Sequence, residues 1–336
     1  MKIRTLLFSL LSLLCAARLA TLSFMAEPDA LPQEDAAVSY RFLLLGVDAA
    51  AENSDVVVLA QYLPKEQQLS VMQLPRDLYL EGEDSTPKLN HIYASCRAKG
   101  LSSQEALQYT VQTIADAFSL PIDAALCLDL SVFVEMVDAI GGVPITLPFD
   151  MTYIDRAQGL SIHLEKGDTV LDGKRAEQFV RFRSGYIEGD IGRLDAQKLF
   201  FAAFLRHVTQ NLSAKDAVSL FLRYHDKVGL YGSQKAILAA MVSVLAKRAM
   251  PAVQFLSLPG EAACTESGTW YYVLNRQAAC EALTRYFARP AEMPFDEAGR
   301  FYQEDPLISG IYFSKEITYR VYTMDELSDI NILKKD

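Results

Sequence analysis

Three apolar runs of strand length, joined by short turns, constrain this chain most. Arg41-Phe42-Leu43-Leu44-Leu45-Gly46-Val47-Asp48 is the first. The second covers 56–63 and is opened by Asp55; the third covers 69–74 and is ended by Pro75, which cannot donate to a ladder. The connections at 49–54 and 64–68 are too short for crossovers, so neighbouring strands run antiparallel. The end of the first strand, the start of the second and the end of the third then share one sheet edge. Asp48, Asp55 and Arg76 are predicted to meet there. Ordinary loop acids and a surface Arg76–Asp77 pair are the plainer reading of the same residues.

A second concentration of charge runs from Glu177 to Gln197. Arg181 and Arg183 are two apart and share a face only if the backbone is extended. Arg193 and Gln197 are four apart and share a helix face. Residues 193–208 read as that helix, with Leu194, Leu199, Phe200, Phe204 and Leu205 as its apolar set and Asp190 and Gly192 at its start. A cation in the first turn opposes the helix dipole by up to about 1 kcal/mol. The free N–H groups there attract an anion. Guanidinium groups in contact repel by roughly 1–4 kcal/mol per pair, so negative charge must answer them. Asp190 with Glu188, or a bound phosphate, would serve.

Elsewhere the pattern is α/β. Ser102 and Glu105 have capping-box spacing ahead of a helix ending near Phe118. A strand at 124–130, a helix at 132–140 stopped by Gly141-Gly142 and a strand at 143–147 follow. Residues 152–169 read as loop-rich, and 173–179 as a short helix feeding an extended 180–183. Helices are predicted at 214–224, 234–249 and 278–287, strands at 253–258 and 270–274, and only short strands at 311–313 and 317–322. No P-loop, nucleophile elbow, dinucleotide fingerprint or His-Glu-x-x-His pair occurs. A length of 336 residues, 51% hydrophobic, suits one large domain with appendages. A net charge of −10 argues against a nucleic-acid partner, which needs a basic surface.

Lys2 and Arg4 precede an apolar segment with eight leucines between Thr5 and Met25, interrupted by Arg18. An arginine near the outer end can snorkel, so residues 1–26 are expected to be an uncleaved single-pass anchor, with 27–38 a linker and the bulk of the chain extracytoplasmic. A cleaved signal peptide is the alternative. Beyond Cys15 stand Cys96, Cys127, Cys264 and Cys280; local pairing, Cys96–Cys127 and Cys264–Cys280, or four buried thiols are both open.

The ordered motifs Leu44-Leu45-Gly46-Val47-Asp48, Ser54-Asp55, Leu74-Pro75-Arg76-Asp77-Leu78-Tyr79, Lys88-Leu89-Asn90, Val137-Asp138-Ala139-Ile140-Gly141-Gly142-Val143, Leu171-Asp172-Gly173, Val180-Arg181-Phe182-Arg183 and Gly189-Asp190-Ile191-Gly192-Arg193 with Gln197 resemble the LytR–CpsA–Psr family. The resemblance implies a three-layer α/β/α fold with a central mixed β-sheet, preceded by one N-terminal transmembrane helix. It gives a catalytic domain over 39–290 and a C-terminal extension over 291–336. It also implies a phosphotransferase that moves a glycopolymer, of teichoic acid or capsule type, from a polyprenyl diphosphate carrier to peptidoglycan. A non-catalytic polyprenyl-phosphate-binding regulator and a lipid-diphosphate hydrolase are the alternatives. Asp48 and Asp55 match the acids associated with Mg2+ (or Mn2+). Arg76, Arg181, Arg183 and Arg193 match diphosphate-binding arginines, supported by Gln197, and Lys88 joins the substrate-binding set. Asp48, Arg76, Arg183 and Arg193 form the catalytic group, with Asp48 the candidate base. Bidentate guanidinium groups suit a diphosphate, and hard carboxylate oxygens suit magnesium. Phe133, Val134, Val137, Phe200 and Phe204 are candidates to line a tunnel for the isoprenoid. Asn53 and Ala196 stand where the family often has arginine.

Overall fold

The computed structural model describes residues 39–48, 53–81, 86–156, 160–183, 186, 190–246, 250–297, 299–301 and 319–328. The expected anchor and linker lie outside them. Strands β1 (Tyr40–Val47), β2 (Ser54–Leu63) and β3 (Gln68–Leu74) form the predicted antiparallel meander, with Leu44 opposite Val58 and Leu59 opposite Met72. Side-chain alternation sends Leu43, Leu45, Leu59 and Met72 into one apolar cluster and Val58 and Val71 into another on the opposite face.

Helices α1 (Leu89–Ala98) and α2 (Ser103–Phe118) cover the first face. The capping box is present: Ser102 Oγ accepts from the Glu105 N–H at 3.2 Å, and Glu105 accepts from the Ser102 N–H at 2.8 Å. Strand β4 (Ala124–Asp129) then pairs parallel to β1 and delivers the chain into α3 (Leu130–Ala139), whose end is marked by Gly141 and Gly142 at φ +84° and +85°.

The stretch expected to be loop-rich is two hairpins. Strand β5 (Val143–Leu147) pairs with β8 (Gly167–Leu171), and nested between them β6 (Met151–Asp155) pairs with β7 (Leu160–Leu164). They lead into α4 (Gly173–Arg181) and α5 (Asp190–Asn211). Inward-facing Ile145, Leu147, Met151, Ile162 and Leu164 build a second core with Phe179 and Phe200. A Cβ on Gly173 would stand 2.2 Å from the Val134 carbonyl oxygen, so only glycine lets α4 start this close to α3.

Helix α6 (Ala214–Tyr224), β9 (Gly229–Gly232), α7 (Gln234–Ala246), β10 (Ala252–Ser257), the hairpin β11 (Gly260–Cys264) with β12 (Trp270–Leu274), α8 (Arg276–Phe287), β13 (Val321–Thr323) and α9 (Met324–Ser328) follow. The main sheet runs β13-β10-β3-β2-β1-β4-β9 and is mixed: β10 pairs parallel to β3, β13 antiparallel to β10. Helix α8 joins α1 and α2 on one face; α5 and α9 pack on the other. Beyond 290, Phe301 is buried in the first cluster beside Leu80, held by Asp296, which accepts from the N–H groups of Arg300 and Phe301. Of the two readings left open for the cysteines, the structure has the thiols: Cys96 and Cys127 are buried in the first cluster, and Cys264 and Cys280 are half-buried.

Asp129 caps α3, accepting from the Val132 N–H at 2.9 Å and the Ser131 hydroxyl at 2.6 Å. Burial pushes its carboxyl up, but these hydrogen bonds outweigh it and hold the group below its ordinary range. A depressed folded-state pKa adds stability that is complete above the unfolded value and lost as pH falls through the folded one. Asp129→Ala should therefore cost about 0.5–2 kcal/mol at neutral pH. The difference should shrink as pH drops below about 4, the unfolded aspartate value, in urea melts across that range.

Candidate active site

At the β1/β2 edge, β1 ends in a bulge at Gly46/Val47, and the Asp48 N–H donates to the Asn53 carbonyl at 3.0 Å. Asp48 and Asp55 line the same cleft, which encloses about 640 Å³ including its open mouth. Arg76 stands outside the lining but joins it through Asp55: its Nη1 donates to Asp55 Oδ1 at 3.0 Å. The Arg76 Nε is also 3.5 Å from Asp77 Oδ2. Lys88 is one step further out. Its Nζ donates to Asp77 Oδ1 at 2.9 Å and lies 5.2 Å from the Tyr271 ring centroid. The loop lengths thus bring the three predicted edge residues together, while Lys88 buttresses them through Asp77.

The opposite wall comes from α4 and α5. The backbone differs from the predicted extended 180–183: α4 runs through Arg181, and Phe182, its C-cap, is the extended residue at ψ 131°. Both Arg181 and Arg183 still line the cleft, because the chain leaves the helix between them. Arg181 Nη1 donates to Glu177 Oε1 at 2.9 Å, one turn back, and Glu177 also takes a bond from Lys174. Arg183 is exposed and has no hydrogen-bond or ion-pair partner among the described residues.

Helix α5 starts at Asp190, so Arg193 does sit in its first turn; it is 1% exposed and lines the cleft. Burial pushes the Tyr186 hydroxyl up, and the Arg193 charge partly opposes that. Tyr186 packs edge-on to Phe149 and Phe182. A Cβ on Gly192 would stand 2.4 Å from the Tyr186 Cβ, so glycine is what lets the first turn of α5 settle here. Glu188 lies outside the described residues. Gln197, one turn after Arg193, donates to the Val180 carbonyl at 3.0 Å and accepts from Gln73.

Two polar cleft residues escaped the sequence reading: Tyr153 and Asp155 on the β6–β7 hairpin. The alternation at 151–155 and 160–164 was the available signal. An apolar groove of about 540 Å³ adjoins the cleft and shares Gly46, Val56, Leu130, Val180 and Gln197 with it. Phe133 and Phe200 line it, as expected. Val137 and Phe204 instead pack in the second core, and Val134 presents its carbonyl to Gly173. Leu44, Leu128, Asp129 and Phe201 complete the groove.

The LytR_cpsA_psr family model matches residues 23–287. The chain belongs to this family. A similar protein is the polyisoprenyl-teichoic acid–peptidoglycan teichoic acid transferase TagU of Oceanobacillus iheyensis, 26% identical over 243 residues, spanning 69% of this chain and 70% of that protein. In structure the chain is similar to Bacillus subtilis TagV, with a TM-score of 0.61 at 20% identity over 77% of this chain and 100% of that one. A structure of TagT bound to LIIa-WTA has a TM-score of 0.58 at 23% identity, over 78% of this chain and 95% of that one. Gly192 has a definite physical use here, its close approach to Tyr186. Gly192→Ala should therefore destabilise the fold by about 1–3 kcal/mol through overpacking. Thermal melts would register it, and near-ultraviolet circular dichroism would report the displaced Tyr186.

Proposed function

We propose that this protein transfers a glycopolymer of teichoic acid or capsule type from a polyprenyl diphosphate carrier to peptidoglycan. The observation that carries the reading is the union of an arginine-lined cleft with an apolar groove across shared residues. A diphosphate needs the first and an isoprenoid chain the second. The names of the related transferases agree with this substrate class.

The chemistry follows from the residues. An acceptor hydroxyl oxygen attacks the glycan-side phosphorus, the anhydride P–O bond breaks and polyprenyl phosphate leaves. Negative charge grows on the phosphate oxygens, and Arg183 and Arg193 stabilise it more than the ground state. Arg183 offers its N–H groups to the incoming lipid, whereas Arg181 and Arg76 are already set by Glu177 and Asp55 and shape the field around it. Asp48 accepts the proton of the acceptor hydroxyl. Asp48 and Asp55 also fit a magnesium or manganese ion. No group of three or more candidate ligands occurs among the described residues, and magnesium is commonly held by one or two carboxylates plus phosphate and water. Such an ion, when bound, supplies further positive charge to the diphosphate. Base and cation ligand are alternative roles for the Asp48 carboxylate at any one moment.

We further infer a single-pass anchor over 1–26 and a linker over 27–38, with the catalytic domain over 39–290 and its extension over 291–336 facing outward from the cell membrane. Among the described residues no helix is long and apolar enough to cross a membrane. The anchor reading rests on the leucine-rich segment after Lys2 and Arg4.

Incubating the purified protein with a lipid-diphosphate saccharide, peptidoglycan fragments and magnesium should give sugar joined to the fragments. Free sugar phosphate instead would mark a hydrolase, and tight binding without turnover a regulator. Arg183→Ala should weaken lipid-diphosphate binding by about 1.5–3 kcal/mol, the scale of a charged hydrogen bond, read by titration calorimetry. Chelation with EDTA should stop transfer, and added magnesium should restore it.

A further inference from the structure

We propose that Gln73, on β3, is a positioning residue that fixes Gln197 as a hydrogen-bond donor toward the phosphate of the lipid. The inference deepens the transferase reading and rests on it for the identity of the ligand. Gln73 is 3% exposed and Gln197 5% exposed. Gln197 lies at the junction of the polar cleft and the apolar groove, where a lipid's phosphate meets its chain.

The orientation of both amides follows from one backbone group. The Val180 carbonyl lies in the last turn of α4, where carbonyls lack helical partners. It can only accept, so Gln197 must turn its Nε2 toward it, and the bond is 3.0 Å. The Gln197 Oε1 then faces Gln73, which must donate through its own Nε2. With its oxygen engaged, Gln197 has one N–H left, and it takes no protein acceptor among the described residues. A phosphate oxygen can use that N–H.

Gln73 makes a poor purely structural residue. Its Oε1 is buried with no hydrogen-bond partner, an arrangement buried polar groups rarely show. The neighbouring bridge already ties α5 to the sheet: Lys198 donates to Asp195 and to Ser257, which is the β10 register partner of Gln73. An apolar residue at 73 would seal this layer without an orphan acceptor. What the glutamine adds is the donor that holds Gln197.

The test compares the wild-type protein with Gln73→Met and Gln73→Leu, neither of which offers a hydrogen-bond donor to Gln197. One readout is the Gln197 side-chain amide in 15N spectra: it should exchange slowly with water in the wild type and quickly in both variants. The other is affinity for a short-chain polyprenyl diphosphate against the polyprenol of equal length. Diphosphate affinity should fall by roughly tenfold, the upper scale of one hydrogen bond, while polyprenol affinity stays constant. An unchanged Gln197 amide, or equal losses for both lipids in variants that melt like the wild type, would overturn the assignment. If the wild type binds neither lipid, the transferase reading fails, and the amide exchange alone then decides the role of Gln73. Should Gln73→Met fail to fold, Gln73→Leu decides both readouts.

Discussion

The packing of α5 between two apolar layers is the constraint on which the cleft depends. Ala196, Phe200 and Ala203 belong to the second core, whereas Ala202, Phe201 and Leu205 pack against the main sheet. A helix gripped on two sides has little freedom to slide, because interiors pack densely and resist displacement. Its first two turns carry Arg193 and Gln197. Their positions relative to Asp48 and Asp55 are therefore set by hydrophobic burial along both sides of the helix.

That arrangement lets an acidic chain present a local anion site. Net charge governs solubility and long-range steering, but a cleft answers to the groups that line it. The arginines around it differ in how much of their charge is already committed. Arg76 and Arg181 face Asp55 and Glu177 at 3.0 and 2.9 Å. Arg193 is buried. Arg183 is exposed and has no hydrogen-bond or ion-pair partner among the described residues, so it has much to gain from an incoming phosphate. Fixed guanidinium groups in a partly dry cleft need little reorganisation as charge develops, which is where such sites derive their catalytic effect.

Much of this was legible in the sequence where the physics is local. Apolar runs with short turns gave β1 to β3 and the convergence of Asp48, Asp55 and Arg76. The Ser102/Glu105 spacing gave the start of α2, and the four-residue spacing of Arg193 and Gln197 gave their shared helix face. The failures are non-local. The 152–169 hairpins have five-residue strands in which apolar Ile154 and Val170 occupy exposed positions, which blurs the alternation until the second core gathers the inner faces. Arg181 proved helical because Glu177 rewards one more turn of α4, whereas the two-residue spacing to Arg183 had suggested a strand. Gln73 looked like an ordinary strand residue, since its partner lies 124 positions away.

The central claim, that one continuous site takes a diphosphate at its arginines and an isoprenoid along its apolar floor, is tested most directly by a crystal structure with a short-chain polyprenyl diphosphate bound. The account predicts phosphate oxygens within hydrogen-bond reach of Arg183 and Arg193, and the chain running past Phe133 and Phe200. A lipid seated on another face, or a diphosphate in the cleft with its tail turned away from that groove, would contradict it.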